Sequence, residues 1–117
     1  MIDVLISGRL HGVPVVRAIR PSKPFALFDV LASDKVGENV LCKCITFSET
    51  AMRAVQSLAN GDAITVAGDA GLPRYSNHDG TLLSLDVTVH GVLSAFHAGR
   101  EREALAHVDL GELDLLL

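Results

Sequence analysis

The chain opens on a two-residue alternation. Ile2, Val4 and Ile6 interleave with Asp3, Leu5 and Ser7, which predicts a β-strand ending near Gly8. Beyond Gly12, Val13 to Ile19 continues that strand past a bend, with Pro14 marking an edge or a bulge. Arg20-Pro21-Ser22-Lys23-Pro24 reads as a loop, because two prolines so close oppose both a helix and a central strand. Phe25 to Ala32 is a second strand that places Phe25 and Phe28 on opposite faces, so that one of them enters the core. Ser33 to Asn39, polar and containing Gly37, is a turn, and Val40 to Phe47 is a third strand.

The period then changes. Ala51, Val55 and Leu58, with Met52 and Ala59 beside them, fall at helical spacing. Ser48 supplies an N-cap and Asn60-Gly61 a left-handed stop, which predicts a helix of about three turns. Ala63 to Gly68 is a fourth strand, and Gly71 to Gly80, with Pro73, Asn77 and Asp79-Gly80, is a turn-rich hairpin loop. In the fifth strand Leu83, Leu85, Val87 and Val89 alternate with Ser84, Asp86, Thr88 and His90, giving one buried and one wet face. Five strands with a single short helix between the third and the fourth match an all-β OB-fold Greek-key barrel. Barrels of this kind bind oligonucleotides or oligosaccharides across the face around strands 2 and 3.

Composition narrows the class further. At 117 residues, 49% of them hydrophobic, the chain suits one folded domain over residues 1–99 followed by a tail over residues 100–117. No apolar run approaches the roughly 18 residues of a membrane helix. Asp3 stands where a secretory signal would carry basic charge, so a cytoplasmic protein without a membrane partner is expected. The C-x-C pair Cys42 and Cys44 occupies alternate positions of one strand, which suits two small buried side chains in a reducing compartment better than a disulfide. The five histidines show no metal-site spacing, and no metal or other cofactor is expected. There is no Gly-rich phosphate loop, no G-x-S-x-G and no H-E-x-x-H, so the chain reads as a binding protein and not an enzyme.

Net charge is −4, from ten Lys+Arg against fourteen Asp+Glu. Residues 100–117 hold five of the acids and only two of the arginines, so the body is close to neutral. A neutral body is compatible with a basic face, because net charge limits affinity without deciding where the cations lie.

Three stretches resemble the bacterial single-stranded DNA-binding protein family and its relative, primosomal replication protein N. Ile2 to Leu10, with its Ser7-Gly8-Arg9-Leu10 ending, is similar to the family's first strand. Leu41-Cys42-Lys43-Cys44-Ile45-Thr46-Phe47 running into Ser48-Glu49-Thr50-Ala51 resembles its third strand and the start of its helix. Leu58-Ala59-Asn60-Gly61-Asp62, followed by Ile64 to Gly68, resembles its helix exit and fourth strand. Arg74-Tyr75 before a tight turn also fits. The likeness covers about residues 2–97. The chain departs from the family in the short Ser33–Asn39 connection, in Leu41 where a stacking tryptophan would stand, and in having no Gly/Pro/Gln-rich linker.

The resemblance implies an OB-fold that binds single-stranded DNA without sequence preference, as a dimer or tetramer, in replication, recombination or repair. Such binding needs cations along a groove and aromatic platforms for the bases. By resemblance the strand-3 face carrying Lys43 and Phe47 meets the DNA; without it, Phe47 is a core residue and Lys43 a solvated one. Tyr75, beside Arg74 in a turn, is a stacking candidate or else packs on the barrel. Arg17, Arg20 and Lys23 bracket the proline loop and, with Arg9 at the end of the first strand, are candidates for tracking phosphates. With few aromatics, weaker and more salt-sensitive binding is expected than the family shows. The rival reading is a protein-interaction module for primosome-like assembly that has lost DNA binding. In the tail, residues 100–108 suit a short helix, and the acidic, leucine-rich end suits packing on the body or recruitment of replication or repair proteins.

Overall fold

The barrel closes around β1 (Ile2–Arg20), which serves two neighbours in turn: its first half pairs with β4 (Ala63–Ala70) and its second half with β2 (Lys23–Ser33). The structure is a computed structural model, and it describes residues 1–75 and 82–94. β3 (Asn39–Thr46), α1 (Glu49–Gln56), the two-residue β5 (Arg74–Tyr75) and β6 (Leu83–Ser94) complete it. The strands run in the order β3-β2-β1-β4-β6-β5, and a parallel β3–β6 pairing closes the ring. With one short helix between β3 and β4, this is the OB-fold expected, the five main strands being β1–β4 and β6.

Alternation fills the interior. Leu10, Ala26, Phe28, Val30, Cys42, Cys44, Ile64, Val66, Val87 and Val89 all point inward, and Met52 and Val55 of α1 cover one end of the barrel. Of the two phenylalanines on β2, Phe28 is the core residue. Thr46 is fully buried, yet its hydroxyl is satisfied twice: it donates to the Val89 carbonyl (2.8 Å) and accepts from the Ser48 amide (3.2 Å). One side chain therefore ties the β3–β6 closure to the start of the helix. Gly68 sits where β4 shifts register against β6; a Cβ there would lie 1.9 Å from the Thr88 carbonyl oxygen, so the strands can approach only with glycine.

Several boundaries differ from the sequence expectation. β1 does not end near Gly8 but runs on to Arg20, with its register shift between His11 and Val15, where Pro14 suggested one. The proline loop shrinks to the turn Pro21-Ser22, and Pro24 lies inside β2, opposite Ala18. Proline is tolerated there because β2 has only β1 as a partner at that level; its pairing with β3 starts at Ala26. The helix stops at Gln56, about one turn short of expectation, although Ser48 is the N-cap as expected and accepts from the Ala51 amide. Residues 57–62 are instead held by side chains, the Asp62 carboxylate accepting from the Ala59 amide (2.8 Å) and Asn60 from the Gly12 amide (2.8 Å). β4 and β6 each run beyond the expected Gly68 and His90, and β5 forms inside the expected hairpin loop. Residues 76–80 of that loop, residues 95–99 of the expected domain and the tail over 100–117, with its candidate helix, lie outside the described residues.

Candidate nucleic-acid interface

Directly paired strand residues share a face, so the register alone defines the outer surface of β1, β2, β3 and β6 as four rows, spaced by about 6.7 Å, two residues of strand. The first row sets Arg17 opposite Phe25, with Phe47 beside Phe25 at a ring-centroid distance of 6.0 Å and an interplanar angle of 47°. The second is apolar, Val15–Leu27–Ile45, and ends on Thr88. The third reads His11–Asp29–Lys43–Asp86. The fourth reads Arg9–Leu31–Leu41–Ser84–Arg74. Five of the eight residues singled out in the sequence (Arg9, Arg17, Lys43, Phe47 and Arg74) thus fall on one face about 20 Å long.

Phe47 is 60% exposed and so is not a core residue. An exposed phenylalanine survives here because Phe25, half-buried, tilts against it and shelters one ring face. Phe25 was legible only as one of two phenylalanines on opposite faces of a strand; its partnership with Phe47 depends on the β2–β3 register. Arg9 is partly committed, since Nη1 donates to the Gly61 carbonyl (3.0 Å) and fastens the helix exit.

Arg20 and Lys23 pair across the tip of the β1–β2 hairpin, beyond the first row. Together with Arg17 they are its only charged residues, for no acid occurs between residues 12 and 28. The hairpin also exposes Val13 and Ile19, each at about 80%. Tyr75 is 68% exposed but alternates to the opposite side of β5 from Arg74, so the structure does not bring it onto the four rows.

An open cleft of about 460 Å³ occupies the second and third rows, lined by Leu27, Ile45, Thr88, Asp29, Lys43 and Asp86, with Asp69 at its edge. Asp69 is hydrogen-bonded to His90 at 2.8 Å. No ion pair joins Lys43 to either flanking acid. On the inner side of the same strands, burial, then Cys42 and Asp29 nearby, push the Cys44 thiol far above its ordinary range, and burial raises Cys42. Among the described residues no group of three His, Cys, Asp or Glu side chains is placed to hold a metal, and no helix is long and apolar enough to cross a membrane.

On the far side of the barrel the outer face is different. Leu5, Ala67 and Gly91 align across β1, β4 and β6, next to Ser7, Thr65 and Leu93. Leu5 is 76% exposed and Leu93 40%.

No protein-family model and no curated protein matches the chain. Solved structures do. A small single-stranded DNA-binding protein from Streptomyces coelicolor superposes with a TM-score of 0.61 at 20% identity, covering 80% of this chain and 93% of that one. A mitochondrial single-stranded DNA binding protein from S. cerevisiae gives 0.59 at 13% identity, covering 79% and 91%. The SSB domain of a Synechococcus sp. protein gives 0.58 at 15% identity, covering 79% and 93%. At these identities the likeness is one of fold.

Proposed function

We propose that this protein binds single-stranded DNA without catalysing a reaction, holding it along the outer face of β1, β2, β3 and β6. The observation that carries the reading is the exposed Phe47 ring, packed against half-buried Phe25 beside Arg17, at the root of a hairpin with three cations and no acid. Sequence-tolerant binding needs that combination, because every base has a face to stack and every nucleotide a phosphate to neutralise. The fold shared with single-stranded DNA-binding proteins supports it. In this reading the phosphates follow Arg17, Arg20 and Lys23, a base stacks on Phe47, and Lys43 and Arg74 extend the track. Coating and protecting exposed strands in the cytoplasm would serve replication, recombination or repair.

The far face completes the proposal. An apolar strip centred on Leu5 and Leu93 is unlike the polar surface of an isolated barrel, and we assign it to contact between copies in a homodimer or homotetramer. The tail, residues 100–117, is assigned to partner proteins of replication or repair.

Fluorescence anisotropy of labelled oligo-dT between about 20 and 300 mM salt tests the reading. Salt-sensitive binding that Lys43→Ala and Phe47→Ala both weaken is the expected result. Absence of binding at the lowest salt would favour the assembly-module reading, for which the acids of the third row, Asp29 and Asp86, are the specific argument.

A further inference from the structure

The register shift at Gly68 leaves one residue of β6 with nothing opposite it. Ala67 faces Gly91 and Gly68 faces Val89, so His90 is the extra residue between them. A bulge of this kind re-aims a side chain. Val89 turns into the core and is the last β6 partner of β3, opposite Thr46. His90 and Phe47 are the next residues on the two strands, and both are exposed. His90 therefore stands at the level of the first row, on the other side of Phe47 from Phe25. Its Nε2 lies 2.8 Å from Asp69 Oδ2, and Nδ1 has no hydrogen-bond partner among the described residues. An ionised carboxylate only accepts, so this bond puts the proton of the neutral ring on Nε2 and leaves Nδ1 a bare acceptor. A second proton turns Nδ1 into a donor and offsets the charge of Asp69. The other charged groups around the ring come from several elements. Asp3 on β1 lies opposite Asp69; His11, Asp29, Lys43 and Asp86 form the third row, two rows away; Glu49 and Arg53 of α1 pair with each other. Without that second proton, the first row has the cation Arg17 at one end and a carboxylate at the other.

We infer, given the single-strand reading, that protonated His90 is a further phosphate contact at the Phe47 end of the first row, so that single-stranded DNA binds more tightly as pH falls. Imidazole is the side chain whose charge ordinarily changes between about pH 8 and about pH 5. A phosphate oxygen meets a lone pair on the neutral ring but an N–H on the charged one, where the hydrogen bond is charge-assisted. Arg17 and charged His90 then lie on either side of the aromatic pair, and a nucleotide stacked on Phe47 has a cation to each side. Asp69 acts by holding the ring: it fixes which nitrogen carries the first proton and turns the other toward solvent, His90 being 65% exposed and Asp69 27%.

Anisotropy of labelled oligo-dT at about pH 5.5 and about pH 8, each over a range of salt, tests the inference on the full-length wild type and His90→Gln. The chain has four other histidines, His11, His78, His97 and His107, so the comparison with His90→Gln isolates one imidazole. The wild type is expected to bind about three- to tenfold more tightly at the lower pH, the range of one net hydrogen bond. Its slope of log K against log salt is expected to steepen by about 0.7, one single-strand phosphate contact. His90→Gln is expected to match the wild type at the higher pH and to lose both changes. A wild-type affinity or salt slope that does not move with pH, or changes that His90→Gln retains, overturns the inference and leaves the single-strand reading standing. Failure of the wild type to bind at either pH, even at the lowest salt, overturns that reading and the inference with it.

Discussion

Thr46 shows how much one residue settles. Its hydroxyl is buried, donates to Val89 and accepts from Ser48, so Thr46→Val keeps the shape but strands a carbonyl and an amide. The loss is expected to be about 1–3 kcal/mol, read as a lower urea midpoint at unchanged slope. Cys44 makes a different point. Its thiol keeps its proton in the fold at a pH where the unfolded thiol gives it up, so the stability it contributes is whole below the ordinary thiol range and drains away as pH rises through it. Native protein is accordingly expected to leave both cysteines unreacted toward a thiol reagent at mildly alkaline pH, and to yield two once denatured. The C-x-C spacing on a strand made this burial legible from sequence, since alternate positions share a face. Phe47 was not decidable that way. Its alternation with Cys44 and Thr46 placed it on the other side of β3, but only the Phe25 contact explains an exposed ring there.

The β1–β2 hairpin is the element that sequence reading and structure describe most differently. Local rules gave a loop at Arg20–Pro24, because proline removes a donor from a sheet. Those rules do not register that this part of β2 has a single neighbour, where the missing donor costs nothing. The result is a ribbon projecting from the barrel with Arg17, Arg20 and Lys23 along it. Its three cations are expected to act through phosphates, so replacing all three with alanine should lower the slope of log K against log salt by about 2, given about 0.7 per single-strand phosphate contact. A salt titration of the triple variant measures this; an unchanged slope would remove the hairpin from the interface. The helix end is a smaller case. Apolar spacing continues through Leu58, but Asp62 and Asn60 capture backbone amides and close the chain into a turn instead.

At the scale of the whole molecule, the five main strands, their order and the single helix followed from periodicity, the short β5 did not, and the likeness to solved single-stranded DNA-binding proteins agrees with the fold. What periodicity could not supply was the rows. Which residue of β2 opposes which of β3 and β6 is a long-range register, and it alone places Arg17 with Phe25, and Lys43 between two acids. The barrel's two outer faces then differ in character, one mixed and charged, the other apolar around Leu5 and Leu93. Leu5→Glu, which puts charge into that strip, is expected to shift sedimentation from dimer or tetramer toward monomer without lowering affinity for a short oligonucleotide. A wild type that sediments as a monomer at all concentrations would refute the assignment of that face.

Single-stranded DNA is assigned a place on the barrel, the outer face of β1, β2, β3 and β6, so a map of the bound surface tests it most directly. Backbone amide shifts of labelled protein, followed while a short single-stranded oligonucleotide is added at low salt, report which strands it touches. The largest changes are expected along the rows, at Arg17, Phe25, Leu27, Lys43, Ile45 and Phe47, with Leu5, Ala67 and Leu93 left in place. Shifts gathered on β4 and the Leu5 face, or none at saturating oligonucleotide, would contradict it.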